Sequence, residues 1–495
     1  MAVYDLHWLL LSNDLKCVLI NTVLPVSSLF SMRGTDSLPP EWESYFSKYG
    51  DIVVGIMDRR RILIGLVEIA GYNANLKTGF QELGLDCTFI NQKGHVFGYA
   101  GDDVPICLVA WQKSLWKRAQ QGRTLLKYLW YAVFYALNLP VFVWAIIRFD
   151  VFILGYNSTF LGYLDLPLLR LLGKRVIYIF FGSDGRPPYI DGALCKSADI
   201  DDPRRCMRMT RMQKRKIRWI ERFADVTVHH PAAAHLQARQ FVKGLNIGIP
   251  FARASVEEND SRMRNGIVRI LHSPSDPDAK GTPAIRDAIR SLQAKGYPIE
   301  YFEITGKPHA VVLDELQRCD IVVDQLYSDT PMAVFATEAA WYGKPAVVGG
   351  YYARYIWDDY AADVIPPAIY CYPAEIEDAL EPLVTDAGYR AEVGRRARDF
   401  VQTQWNPVRV AERYLRLIDG DVPEHWVADP RAITYLQGAG MAEERVSALV
   451  RAIVDKGGVQ ALCLSDKPDL ERLFVSFACA KFTEESVLRD KPLGM

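Results

Sequence analysis

The sequence predicts an α/β protein of two Rossmann-like, doubly wound parallel-sheet domains facing across a cleft, with a helical C-terminal extension. Three observations predict it. Short β-branched or apolar runs alternate with helical stretches along most of the chain. Two such series are separated by a polar, nearly aperiodic segment, Ala252 to Gly266, bounded by Pro and Gly. The 495 residues also exceed what one hydrophobic core fills.

Residues 1–56 mix short apolar runs with turns and read as an N-terminal extension, with Met57 a candidate functional start. The opening Met1-Ala-Val-Tyr-Asp-Leu-His-Trp8 has an acid where a signal peptide needs bases, so no secretory signal is expected. The first domain, 57–250, begins with the buried-strand run Ile62 to Val67. A loop from Glu68 to Asn75 follows, then a helical stretch from Leu76 to Leu83 closed by Gly84, and a strand from Cys87 to Ile90. Further strands are expected at 150–154, 175–180 and 225–228, with helices at 164–172 and 211–223 between them. After the linker, 251–266, the second domain (267–420) repeats the pattern, with strands at 267–271, 299–304, 321–323 and 346–348. Its last helix, 389–418, is expected to cross back and lock the halves. The tail, 421–495, is helical in pattern, and 443–454 is strongly amphipathic, but it holds no catalytic constellation.

Tyr128 to Ile147 is a run of 20 residues without a charge, flanked by Lys113, Lys117, Arg118, Arg123, Lys127 and Arg148. Its length permits a membrane span. Against a span, Asn138-Leu-Pro140 interrupts it, and Arg148 leads directly into a core strand. Two readings stay open: a buried helix-loop, or an aromatic-rich surface resting in a lipid interface with its basic flank toward anionic headgroups.

The 58 basic and 59 acidic residues leave a net charge of −1, so no global field favours nucleic acid. Nine cysteines, scattered and never in Cys-x-x-Cys spacing, fit reduced thiols of a cytoplasmic protein rather than a disulfide framework or a zinc site. No cluster has metal-ligand spacing.

The most informative stretch runs from Asp320 to Val348. Asp320-Ile-Val-Val323 and Lys344-Pro-Ala-Val-Val348 suit buried parallel strands, and between them Glu338 lies within an otherwise apolar helix. The preceding loop, Ser328-Asp-Thr-Pro331, can leave the first N–H groups of that helix unpaired. Such groups favour an anion such as a diphosphate. Glu338, two turns on, has a reach suited to ribose hydroxyls.

Taken with the Leu271-to-Thr282 loop that ends in Lys280-Gly281, the segment Val334-Phe-Ala-Thr-Glu338-Ala-Ala-Trp-Tyr-Gly343-Lys-Pro345 resembles the retaining glycosyltransferases of the GT-B fold, family-4 type, in their bacterial branch. The likeness covers about residues 58–420, with weaker pieces at Phe181-Gly-Ser-Asp184 and from Arg398 to Tyr414. It implies that Glu338 binds the donor ribose, that the backbone at Val334 and Phe335 holds phosphate, and that Lys280 neutralises the departing diphosphate without a metal. A fixed cation suits that task, because breaking the C1–O bond piles negative charge on the leaving group. The likeness also puts Gly71 beside the donor phosphates, where glycine permits close backbone approach. Asn73, Asp184, Arg186 and His272 are further candidate substrate contacts.

Three departures stand out. Eight residues before Glu338 the family has a sugar-contacting Glu, where this chain has Thr330 with Asp329 beside it. Phe181 replaces a cleft histidine. The arginine ahead of the lysine is missing, and Ser273 and Ser275 occupy that loop; with Asp329 and Thr330 they are candidate donor contacts.

The expected function is transfer of a hexose-like unit from a nucleotide diphosphate sugar to a saccharide or lipid-linked acceptor hydroxyl, with retention, in bacterial glycan or glycolipid synthesis. No bound cofactor is expected, and the place is the cytoplasm or the inner face of the membrane. Two alternatives remain: a nucleotide-sugar epimerase of the same fold, and a catalytically weakened sugar-nucleotide-binding or scaffold subunit.

Overall fold

The short apolar runs pair in parallel, as strands buried on both faces do. The computed structural model describes residues 60–93, 101–121, 125–253 and 266–480. The N-terminal extension, the candidate start at Met57, most of the linker and the last fifteen residues lie outside the described residues.

The first sheet contains β1 (Ile62–Leu66), β2 (Cys87–Asn91), β3 (Val151–Gly155), β4 (Arg175–Ile179), β5 (Val226–His229) and β6 (Phe241–Lys243). The second contains β7 (Val268–His272), β8 (Ile299–Glu303), β9 (Ile321–Gln325), β10 (Ala346–Gly349) and β11 (Ile369–Cys371). A last strand, β12 (Val427–Ala428), comes from the C-terminal extension and pairs antiparallel with β6. The strand orders are β12-β6-β5-β4-β3-β1-β2 and β11-β10-β9-β7-β8. Every pair except β12 with β6 is parallel. The two doubly wound sheets expected from the sequence are present.

The helices that matter here are α1 (Tyr72–Glu82), α2 (Cys107–Gln121), α3 (Leu126–Ala136), α4 (Asn138–Arg148), α5 (Asp165–Leu171), α6 (Arg204–Phe223), α7 (Thr282–Ala294), α8 (His309–Arg318), α9 (Val334–Trp341), α10 (Ile376–Thr385), α11 (Ala387–Gln404), α12 (Pro407–Asp419), α13 (Glu443–Gly457) and α14 (Pro468–Cys479). The basic helix α6 starts seven residues before its expected Arg211.

Alternation along β1 divides the first core in two. Ile62 and Ile64 face α1 and α12, whereas Leu63 faces the opposite layer. The single closing helix expected at 389–418 is two helices, α11 and α12. The break falls at Asn406-Pro407, where proline cannot donate to the preceding turn and the Asn406 side chain accepts from Val408 N. As expected, α12 returns to the first sheet. It presses so close to α1 that a Cβ on Gly79 would overlap the Pro407 carbonyl, and the Tyr72 and Tyr414 hydroxyls meet at 2.7 Å.

The C-terminal extension is part of the first core. Val446, Leu449, Ile453, Leu470 and Phe474 pack with Leu154, Tyr178, Phe180 and Tyr189. Before reaching that core, the stretch from Ile433 to Glu443 crosses between the two sheets. Ala439 exchanges backbone hydrogen bonds with Ile190 and Gly192 on the first-sheet side, and Gly440 N donates to Tyr327 O on the second. The amphipathic pattern of 443–454 revealed the helix but not this crossing.

Helices α3 and α4 run on through Leu137, which keeps right-handed helical geometry, so the expected interruption at Asn138-Leu-Pro140 does not part them. Pro140 lies just past that junction, where Val141 N still donates to Leu137 O at 3.2 Å and the helical path continues. Together, Leu126–Arg148 is long and apolar enough to cross a membrane by length and composition, yet only 28% of its most apolar window is buried. One face, with Val141, Phe142 and Ala145, enters the core, while Leu129, Val133, Leu139, Val143 and Ile147 are exposed. Their helical spacing makes an apolar stripe that points outward.

Candidate functional site

The C-terminal ends of β7 and β9 set the frame. After β7 the chain loops to Lys280-Gly281 and enters α7. Gly281 has φ 72°, and a Cβ there would crowd the Leu326 side chain at 2.6 Å. Leu326 N also donates to Lys280 O. The turn is thereby pressed against the end of β9, and Lys280 Nζ donates to Gln325 Oε1 at 2.5 Å. Gln325 Nε2 in turn donates to Ser328 Oγ at 2.6 Å, which accepts from Thr330 N at 3.0 Å.

Asp324, beside Gln325, is buried, and its Oδ2 has no hydrogen-bond partner. Burial raises its pKa, the Lys280 charge lowers it and the Glu338 charge raises it. Lys280, Asp324 and Glu338 therefore share one electrostatic site. A buried acid with an oxygen left unpartnered in that position can accept from a donor hydroxyl or amide.

Glu338 lies on α9 and is buried, as the sequence predicted, but α9 starts only at Val334, so Glu338 is about one turn from the helix start rather than the expected two. Its Oε1 accepts from Arg253 Nη2 at 2.9 Å and meets His309 Nε2 at 2.6 Å. Helix α9 has no side-chain cap at its N-terminus, which leaves the amides at Val334 and Phe335 to other acceptors.

Across from this half-site stands the end of β4. Arg186 is fully buried and makes a two-pronged contact with Asp329, Nε to Oδ2 and Nη2 to Oδ1, both at 2.6 Å. Its third nitrogen, Nη1, donates to Asp191 Oδ2 at 2.6 Å. Burial works against the guanidinium charge, but Asp329 and Asp191 more than offset it and its pKa is raised. Two further contacts join the sheets nearby: His230 Nδ1 to Tyr360 OH at 3.2 Å, and Lys243 Nζ to Asp359 O at 2.8 Å.

No family model matches the chain, and no curated protein does. Among solved structures, HepE of Anabaena, in complex with UDP and glucose, is similar at 10% identity with a TM-score of 0.42, over 73% of this chain and 100% of its own. The catalytic domain of starch synthase IV from Arabidopsis thaliana, bound to ADP and acarbose, is similar at 10% identity and 0.42, over 73% and 99%. MnaA of S. aureus with UDP gives 11% and 0.37, over 73% and 96%.

The geometry of the site sorts the candidate residues. The charges of Lys280 and Glu338 both act on Asp324, and Val334 and Phe335 lie at the open end of α9. Asp329 and Thr330 are in the same loop, but Asp329 is committed to Arg186, and the Thr330 hydroxyl turns back to Asp329 at 3.3 Å. His272 is fully buried and uses both ring nitrogens, toward Val323 O at 2.8 Å and Thr282 Oγ1 at 2.9 Å. Burial lowers its pKa to about 4. Ser273 donates to Ile304 O at 3.0 Å, whereas Ser275 is exposed. In all, His272 and Ser273 are structural hydrogen-bonders of the loop.

The first-sheet candidates are also engaged internally. Gly71, with φ 86°, starts α1, but the Glu68 carboxylate accepts from Asn73 N and Ala74 N at 3.2 Å each and fills the anion position at that helix end. Asn73 Nδ2 donates to Val67 O at 2.7 Å. Asp184 accepts from Phe181 N at 2.8 Å, and burial, partly countered by Lys216, pushes its pKa up to about 6.

Arg253, His309 and Asp324 were not singled out from the sequence as site residues. Arg253 falls in the stretch read as linker, and His309 follows an unremarkable Lys307-Pro308 turn. Asp324 was visible as a lone acid ending a β-branched run, which is the one signal that could have found it.

Proposed function

We propose that this protein transfers a sugar from a nucleotide diphosphate sugar to an acceptor hydroxyl. The observation that carries the reading is the buried Asp324, with an oxygen free of any partner and under the charges of both Lys280 and Glu338, on the strand that leads to the uncapped start of α9. In this proposal the ribose binds at Glu338, the diphosphate lies against the amides of Val334 and Phe335, and the Lys280 ammonium exchanges Gln325 for a phosphate oxygen. The acceptor oxygen bonds to the sugar C1 while the C1–O bond to the diphosphate breaks, with its electron pair leaving on the phosphate. The acceptor proton passes to that leaving oxygen, so transfer with retention requires no enzymic nucleophile. Lys280 stabilises the charge as it develops.

The outward apolar stripe of α3 and α4, with Lys127 and Arg148 at its ends, supports a lipid-linked acceptor and a peripheral position on the inner face of a bacterial membrane. A span is opposed by the direct entry of α4 into β3, inside the first sheet.

One observation favours the binding-subunit alternative. The acid nearest the expected sugar position, Asp329, is held by Arg186, and Glu338 already has two partners. Purified protein incubated with UDP-, GDP- and dTDP-sugars, with and without acceptor extracts, separates the readings. Acceptor-dependent nucleotide release supports transfer, an isomerised sugar supports an epimerase, and binding without turnover supports the subunit.

A further inference from the structure

A groove of about 570 Å³ opens on the first sheet's side of the molecule, well apart in sequence from the Lys280 half-site. Its walls come from the last turn of α6 and the 237–239 loop on one side, and from two pieces of the C-terminal extension, Pro430-Arg431 and Asp466-Lys467, on the other. Arg218, Arg222, Arg239, Arg431 and Lys467 face Glu221 and Asp466, five cations against two acids.

Both acids are already used. Glu221 Oε1 accepts from Ala238 N at 2.9 Å and Arg239 N at 3.0 Å. Asp466 accepts both of its bonds from Lys214, at 2.9 and 2.7 Å. Arg218 reaches Asp466 only at 3.7 Å, and no carboxylate among the described residues pairs with the guanidinium of Arg222 or Arg431. The buried Lys467 forms the floor, its ammonium donating to Gln237 O at 2.5 Å and lying 3.6 Å from Asp466 Oδ2; burial lowers its pKa to about 8, so the excess positive charge rests mainly on the four arginines. Arginine forks match phosphate oxygens in pairs, and an excess of cations that their own acids do not neutralise favours a ligand with more than one negative charge.

We infer that this groove binds a diphosphate or phosphate-ester ligand, at a site separate from the donor half-site and shared between α6 and the C-terminal extension. Occupancy ties Arg431 to α6. Arg431 lies two residues before the stretch that crosses between the sheets, so the ligand steadies the entry to that crossing.

The test uses the full chain and inorganic pyrophosphate, titrated calorimetrically and by thermal shift. Binding should be saturable, should raise the melting temperature, and should persist in Lys280→Ala. The double variant Arg222→Gln/Arg431→Gln changes two exposed side chains, so its fold should be kept, as its circular dichroism will report. Its affinity should fall at least tenfold, while Arg118→Gln, a basic residue outside the groove, should leave it unchanged. The inference is overturned if potassium chloride of equal ionic strength reproduces the shift. It is also overturned if the double variant binds as tightly as the parent, or if Lys280→Ala alone abolishes binding.

Discussion

Arg186 and Asp329, which belong to different sheets, are joined by two 2.6 Å hydrogen bonds in a place where neither is exposed. A buried ion pair of this kind contributes little compared with a well-packed apolar pair. Removing one member, however, strands the other charge. Asp329→Ala should therefore lower the unfolding free energy by about 3 kcal/mol, near the lower end of the usual range because Asp191 still meets Arg186. The variant Arg186→Met/Asp329→Leu/Asp191→Asn, which leaves neither Asp191 nor Asp329 as a stranded charge, should recover much of that loss in denaturant unfolding. Equal losses in the two variants would show that the pair does not bridge the sheets as described.

The crossing stretch of the C-terminal extension depends on close backbone approach. A Cβ on Gly192 would overlap the Gly440 carbonyl, and one on Gly438, with φ 68°, would overlap that of Ile190. Gly192→Ala should destabilise by about 1–3 kcal/mol, the usual cost of overpacking. Limited proteolysis should then cut between 433 and 443 faster than in the parent, whereas Leu171→Ala, at an exposed position on α5, should not change that cleavage.

Acid should weaken the fold well above the range where carboxylates protonate. The unfolded imidazole of His272 takes up a proton near 6.5, but burial delays this to about 4 in the folded chain, so the unfolded state gains protons first as pH falls. Stability present above 6.5 is lost on the way down to about 4, roughly 2 kcal/mol of it by pH 5 for one such group. His230, at about 4, and His235, at about 3, act in the same direction, again through burial. Asp184 opposes them, since its raised pKa favours the fold at low pH and that share is lost as pH rises through about 6. Urea midpoints measured from pH 7.5 to 4.5 should fall, and His272→Asn should flatten the slope whatever its effect at pH 7.5.

Nine of the twelve strands among the described residues were legible because each is a short β-branched or apolar run, and their alternation with helices implied parallel pairing; β6, β11 and β12, of two or three residues each, carry too little pattern to be read. Glu338 was legible because a lone acid in an apolar helix must have a partner or a ligand. Its actual partners were not, since Arg253 and His309 are brought to it by a linker and a helix start that carry no pattern of their own. Gly71 and Asn73 read as donor contacts by position, yet Glu68, three residues before Gly71, takes the helix-end amides. That competition between a neighbouring side chain and a ligand is decided by backbone geometry. The crossing stretch was hidden for a similar reason: Gly438 and Gly440 look like ordinary turns until Ile190 and Gly192 lie against them.

The exposed stripe on α3 and α4 should bind anionic vesicles. Leu129→Glu together with Val143→Glu should reduce co-sedimentation with phosphatidylglycerol-containing vesicles by tenfold or more, with little change in melting temperature because both side chains are exposed. Undiminished sedimentation would detach the stripe from the lipid surface.

The most direct test of the donor half-site is a calorimetric titration of UDP-, GDP- and dTDP-sugars into the parent chain, Lys280→Ala and Glu338→Gln. At least one nucleotide sugar should bind the parent, and each variant should weaken it by about 1.5–3 kcal/mol, the range for a lost hydrogen bond to a charged group. Binding of none of them, or equal affinity in all three proteins, would contradict a nucleotide-sugar site built on Lys280 and Glu338.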